Sequence, residues 1–204
     1  ELRELLQMIQ TEDRYVDVLL VDLTGRVQLS LSGNVKLTAN YKAILDRAVT
    51  EKKPAFTPLH TDPDRPNPHI SVVAPLFAAD SKERRPFAAL VLVSNASEFL
   101  FPLIQSWPTA SLSGETLLVQ RDGDDALVVN DLRHQAGTAL KLRIPLNRTD
   151  VPAVMAVLGK QGAVQGVDYR GTPVLAVIMP VPDCDWFMVA KVDIAEVLAA
   201  WRFR

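Results

Sequence analysis

Residues 166–198, GVDYRGTPVLAVIMPVPDCDWFMVAKVDIAEVL, decide the fold. Gly171 closes a tight turn after Asp168, Tyr169 and Arg170. Val174 to Met179 and Trp186 to Val192 are strand-length apolar runs, and Pro180-Val181-Pro182-Asp183 between them is turn chemistry. Asp193 then precedes an apolar-periodic segment with Glu196 three residues on, the spacing of a capping box. The stretch therefore reads as two neighbouring buried strands feeding a capped helix.

The same grammar occurs earlier. In residues 91–100, VLVSNASEFL, an apolar strand leads to Asn95 and Glu98, which match Asp193 and Glu196 at an offset of 98. A second pair, LLVDLTG at 19–25 and LLVQRDG at 117–123, keeps that offset. Strand–turn–strand segments resemble one another generally, but the shared offset favours two tandem copies of one fold. A period of this size is a domain length.

The remaining elements fill in each copy. Leu2, Leu5, Leu6 and Ile9 make one face of an amphipathic helix at the start. Residues 15–22 and 26–32 form a hairpin, 40–52 a helix ended by Pro54, and 57–68 a long loop holding Pro58, Pro63, Pro66 and Pro68. Strands at 69–77 and 86–93 follow, joined by a charged loop at 79–85, then a capped helix over 96–107 interrupted by Pro102. In the second copy, strands 115–120 and 126–130 flank an Asp-Gly turn, which accounts for Asp122, Asp124 and Asp125. Residues 132–145 are less regular; a helix over 150–158 carries Asp150 as cap and Pro152 in its first turn. A short strand at 164–167, the two apolar strands and a helix over 194–203 complete the copy. The fold class is α+β: two PAS-like modules, residues 1–107 and 108–204, each an antiparallel sheet flanked by helices. The strands look apolar on both faces, so cover is expected on both, with a pocket where the cover falls short.

Composition narrows the function. The chain has 204 residues and a net charge of -2, with basic residues scattered, so no nucleic-acid partner is expected. A single cysteine, Cys184, excludes an internal disulfide and a thiolate metal cluster. No run reaches the roughly 20 apolar residues of a membrane span. The three histidines fit no nucleophile-elbow or zincin pattern, and no glycine-rich phosphate loop is present, so catalysis is not expected. No cofactor is expected either.

The order of elements, repeated twice behind an N-terminal helix, is similar to the tandem PAS-like (double Cache) sensor domains of bacterial transmembrane receptors. Residues 114–123 (GETLLVQRDG), 166–175 (GVDYRGTPVL) and 186–193 (WFMVAKVD) carry the resemblance most strongly. It implies an extracytoplasmic, periplasmic sensor with transmembrane helices before Glu1 and after Arg204. The first copy would be membrane-distal and the second proximal. Output would pass to a cytoplasmic histidine kinase foremost, or a diguanylate cyclase or chemoreceptor domain. The Tyr-, Arg- and Trp-containing motif of amino-acid-sensing members has no counterpart in residues 38–75, which argues against an amino-acid ligand.

The candidate ligand-binding residues are His69, Ser71, Tyr41, Asp17, Tyr169 and Arg170. His69 and Ser71 share one face of a strand, where polar groups need internal partners or a cavity. Tyr41 and Lys42 open a helix whose amides could meet an anion, or form an ordinary surface pair. Asp17 could accept from a ligand amine or pair with Arg26 across the hairpin. Tyr169 and Arg170 could offer a hydroxyl and a carboxylate fork, or pack and face solvent. Asp62, Asp64 and Asn67 have a loose calcium-loop spacing but lack the glycine and distal glutamate, so no metal is expected. The expected partners are a small molecule of carboxylate type and a second copy in a homodimer. The competing reading is a ligand-free structural or dimerisation module that senses a partner protein through residues 57–68.

Overall fold

The computed structural model describes residues 1–33, 37, 39–62, 65–78, 85–182 and 184–202, with side chains omitted at 39, 40 and 200–202. Pro63, Asp64, Asp183, Arg204 and the connection 79–84 lie outside the described residues. Two compact units divide the chain, Glu1–Ala96 and Ser97–Arg204. No helix among the described residues is long and apolar enough to cross a membrane.

In the first unit, helix α1 (Leu2–Glu12) precedes the hairpin β1 (Asp17–Val21) and β2 (Val27–Ser30). Then come α2 (Ala39–Glu51), the short strands β3 (Ala55–Phe56) and β4 (His60–Asp62), and the long pair β5 (Arg65–Phe77) and β6 (Pro86–Asn95). The sheet order is β2-β1-β6-β5-β3, with β4 also on β5. In the second unit, α3 (Leu100–Gln105) leads into β7 (Glu115–Asp122), β8 (Asp125–Val128) and β9 (Arg143–Pro145). Helix α4 (Pro152–Val157), strands β10 (Gly162–Val167), β11 (Pro173–Pro180) and β12 (Trp186–Asp193), and helix α5 (Ile194–Arg202) follow. Its order is β10-β11-β12-β7-β8-β9. Both sheets are antiparallel, and in both the first strand of the hairpin lies beside the last strand of the unit.

The repeat extends to register. Asp17 opposes Val93 in one unit and Glu115 opposes Lys191 in the other, so both partners are displaced by 98 positions (115 − 17 and 191 − 93). Each unit has its own core. One gathers Leu19, Val21, Val73 and Val91 under Tyr41, Leu45 and Ala48 of α2. The other gathers Leu117, Val119, Ile178 and Val189 under Val154 and Ala156 of α4.

Several expectations need correction. Cover on both faces does not extend to β11 of the second sheet, where Val174, Ala176 and Ile178 are buried while Leu175, Val177 and Met179 are exposed; on β5 of the first sheet the outer face is half-buried. The alternation on β11 is that of a half-solvated antiparallel strand. On α1 only Leu6 is buried, and Leu2 and Leu5 are exposed. Much of the expected loop at 57–68 is strand: β4 lies on β5, with His60 opposite His69 and Asp62 opposite Arg65. Prolines are tolerated there because Pro66 and Pro68 precede the run where β5 pairs with β6 from His69 onward.

The capping boxes also fail. Asn95 ends β6 and α3 begins at Leu100, with Phe99 at its N-cap and no side-chain cap, so Pro102 falls in the first turn. Asp150 pairs with Arg148, leaving Val151 at the N-cap of α4. Glu196 does not reach back to Asp193. Its carboxylate accepts from the Ser111 hydroxyl (2.8 Å), the Leu112 amide (3.2 Å) and the amide (2.8 Å) and hydroxyl of Ser113. The Asp193 amide donates instead to Ser113 Oγ at 3.0 Å. The first turn of α5 is thereby stitched to residues 111–113.

Those bonds, the Ser113 hydroxyl foremost, hold the Glu196 carboxyl at about 2, against an ordinary 4.5. A carboxyl lowered in the folded state contributes stability that is full above its ordinary value and lost as pH falls toward the lowered one. Melting followed by circular dichroism should therefore show a decline between pH 4.5 and about 2 that is shallower in Glu196→Gln. An identical pH profile in wild type and variant would contradict the stitch.

Candidate functional site

Alternate residues of a strand share a face, so Arg65, Asn67, His69, Ser71 and Val73 of β5 point one way. Register adds Asp17 and Leu19 from β1 and Val91 and Val93 from β6 to the same face. Half of that face is apolar and packed under α2. Where Tyr41 marks the end of the helix cover, the face turns polar. Tyr41, 1 % exposed, joins its hydroxyl to Ser71 Oγ at 2.8 Å, and the Ser71 amide donates to Thr57 Oγ1 at 2.9 Å. Burial pushes the Tyr41 hydroxyl above its ordinary pKa, against the hydrogen bond from Ser71.

Asp17 is fully buried, and its carboxylate is saturated. It accepts from the Val18 amide (2.9 Å), the Ser30 hydroxyl (3.2 Å), the Ser32 hydroxyl (2.5 Å) and amide (3.2 Å), and the Arg65 guanidinium. Its cation is Arg65 and not Arg26, because Arg26 lies at the hairpin turn, where its amide donates to Asp22. Beside this pair, Asp62 Oδ2 lies 3.2 Å from His69 Nε2 and 3.7 Å from His60 Nε2. The two imidazoles are 4.3 Å apart between centroids, and Tyr41 meets His60 edge-on at 5.4 Å. Burial lowers the pKa of His69 below its ordinary value, against the Asn67 carbonyl that would raise it.

Arg65, Pro66, Asn67 and His69 form one wall of a pocket of about 220 Å³; Val16, Val93 and Asn95 form the rest. Drug-sized sites run from about 300 Å³ upward, so this volume suits a smaller molecule.

The corresponding region of the second unit is filled. Lys191, 2 % exposed, bridges Glu115 Oε2 (2.7 Å) and Asp168 Oδ2 (2.8 Å). Arg170 joins Asp168 (2.7 Å) to Asp193 (2.5 Å), and the Tyr169 hydroxyl donates to both Glu115 oxygens at 3.1 Å. Burial would raise the Asp168 carboxyl, but Lys191 and Arg170 hold it below its ordinary pKa. Burial, then the Glu115 charge, pushes the Tyr169 hydroxyl well up, so it stays a donor. The cavity left beside Tyr169 and Lys191 is only about 10 Å³. A more open depression of about 470 Å³ lies by Trp107, Ser111 and Arg133.

Four candidate residues, Asp17, Tyr41, His69 and Ser71, thus share the polar half of one face. Tyr169 and Arg170 belong to the ion network of the other unit. Lys42 is exposed and pairs with Asp46 at 3.6 Å. The sequence reading did not find Arg65, Thr57 or His60. Lys191 carried a usable mark, a single charge within the apolar run WFMVAKV.

Strand order, register and repeat give the double Cache, tandem PAS-like fold. Solved structures with this fold include the ligand-binding domain of the Pseudomonas aeruginosa PAO1 amino acid chemoreceptor PctB in complex with L-Arg. It matches at a TM-score of 0.64 and 17 % identity, covering 98 % of this chain and 74 % of that one. The ligand-binding domain of Mlp24 with asparagine matches at 0.60 and 15 %, covering 97 % and 76 %. The extracellular domain of the putative histidine kinase mmHK1S-Z2 matches at 0.61 and 16 %, covering 96 % and 82 %. At these identities the likeness is one of fold. No protein-family model matches the sequence. A comparison with curated proteins gives no match.

Proposed function

We propose that this chain is the extracytoplasmic small-molecule sensor region of a transmembrane receptor, a sensor histidine kinase in the first instance. The first unit is its membrane-distal, ligand-binding module. The pocket beside His69, in which Arg65 and Asn67 stand among apolar neighbours, carries this reading, against the filled equivalent in the second unit. The fold shared with ligand-binding domains of chemoreceptors and extracellular domains of histidine kinases supports it. Arg65 and Asn67 offer donors to a small carboxylate. Residues His60, Asp62 and Arg65 turn inward from the proline-rich segment, which favours a ligand over a partner protein docking there. Binding would shift the balance between two arrangements of the terminal helices, provided the ligand prefers one of them.

The test is a thermal-shift screen of small carboxylates, amino acids and other metabolites, run in the presence of EDTA. A ligand at 100 times its Kd adds about 2.7 kcal/mol. For a chain of this size that raises Tm by roughly 5–10 °C. A shift lost in His69→Ala and kept in Tyr169→Phe is the expected result. The reverse pattern moves the site to the second unit, and no shift across the library favours the partner-contact reading.

A further inference from the structure

The geometry points to a divalent transition-metal site in the first unit, formed by His60 Nε2, Asp62 Oδ2 and His69 Nε2, with zinc as its natural probe. It goes beyond the sensor reading: two of its three ligands lie outside the pocket walls, and it holds whether or not the pocket takes an organic ligand.

Proton counting carries the argument. A neutral imidazole has one ring proton. His60 Nδ1 lies 2.8 Å from the Pro58 carbonyl and His69 Nδ1 lies 3.1 Å from the Asn67 carbonyl. A carbonyl has no proton to give, so both ring protons belong on Nδ1 and both Nε2 atoms present lone pairs. This is the arrangement by which a backbone carbonyl fixes the tautomer of a metal-ligating histidine. Both Nε2 atoms lie beside one carboxylate oxygen, and all three atoms lie within 4.8 Å of one another. Three acceptors held this close repel unless a cation lies between them. A second proton on His69 would satisfy Asp62 but not His60, whose Nε2 is buried and has no hydrogen-bond partner among the described residues.

The spacing from Asp62 also fits. Ligands about 2.0–2.1 Å from zinc at tetrahedral angles are about 3.3–3.4 Å apart; the separations from Asp62 are 3.2 and 3.7 Å, and the two imidazole nitrogens, within 4.8 Å of each other, close in on the ion by rotation of the His60 ring. Two histidines and one carboxylate leave a fourth position open, as in sites that take water or an exogenous ligand. Such a donor set suits a borderline metal and not calcium, which takes six to eight oxygens. Strand pairing builds the site: His60 and His69 are directly opposed on β4 and β5, and Asp62, two residues after His60, shares its face of the strand.

The experiment uses the whole chain, stripped with EDTA and desalted, then titrated calorimetrically with zinc and spectroscopically with cobalt. One zinc should bind per chain with a Kd below about 10 µM. Cobalt should give visible bands of a four-coordinate nitrogen–oxygen site without a thiolate band. His60→Ala and Asp62→Asn should each weaken zinc binding at least about tenfold. His134→Ala, which removes an exposed histidine elsewhere, should leave it unchanged. His60 and Asp62 are partly exposed, and circular dichroism verifies that both variants fold. Absence of saturable uptake at about 100 µM zinc would overturn the proposal. So would retention of wild-type affinity in both variants, or cobalt ligation by Cys184.

Discussion

Lys191→Met is expected to destabilise the second unit by about 3–5 kcal/mol, the cost of stranding a buried charge. Lys191 is the cation between two carboxylates that are each 2 % exposed, Glu115 and Asp168. After its removal Asp168 keeps Arg170, but Glu115 keeps, among the described residues, only the Arg133 amide and the Tyr169 hydroxyl. The loss therefore concentrates at Glu115. Adding Glu115→Gln to Lys191→Met should recover a large part of it, because an uncharged amide needs no counter-ion. Calorimetry of the single and double variants checks this. A single-variant loss under about 1 kcal/mol would mean that Glu115 finds water or another cation.

Arg65→Met should cost the first unit a similar amount. Asp17 is wholly buried and would retain two serine hydroxyls and backbone amides but no positive charge among the described residues. Hydrogen exchange should accelerate in β1 and β5, and Asp17→Asn on the same background should slow it again. Under the proposed function Arg65→Met also abolishes the ligand-induced shift in Tm, since the wall of the pocket is lost. The two predictions form a pair. Asp17 and Glu115 occupy equivalent positions at the start of the first strand of each unit, yet Asp17 takes its cation from β5 and Glu115 from β12.

That contrast explains what the sequence disclosed. An offset of 98 is a property of spacing, and spacing survives folding, so the repeat, the hairpins and the central strand pairs were legible. Counter-ions were not. Whether Asp17 meets Arg26 or Arg65 depends on which strands become neighbours, and a local reading offered, beside a ligand amine, only the nearer arginine in sequence. His60 and Asp62 were hidden by their surroundings. Four prolines in twelve residues signal a loop, yet β4 needs only three residues and two pairings to be held against β5. The helix caps misled for a different reason. Asp193 and Glu196 have capping-box spacing, but Arg170 and the serines of 111–113 are better partners, and they are remote in sequence.

The stitch at Glu196 has a mechanical consequence. Helix α5 is rooted at two points: its first turn hangs on residues 111–113, and Asp193 at its foot is tied through Arg170, Asp168 and Lys191 to Glu115 on β7. A torque applied to the helix would therefore not be absorbed by fraying its first turn. It would pass to the middle of the sheet, with Glu196 as the fulcrum and a chain of ion pairs as the short arm of the lever.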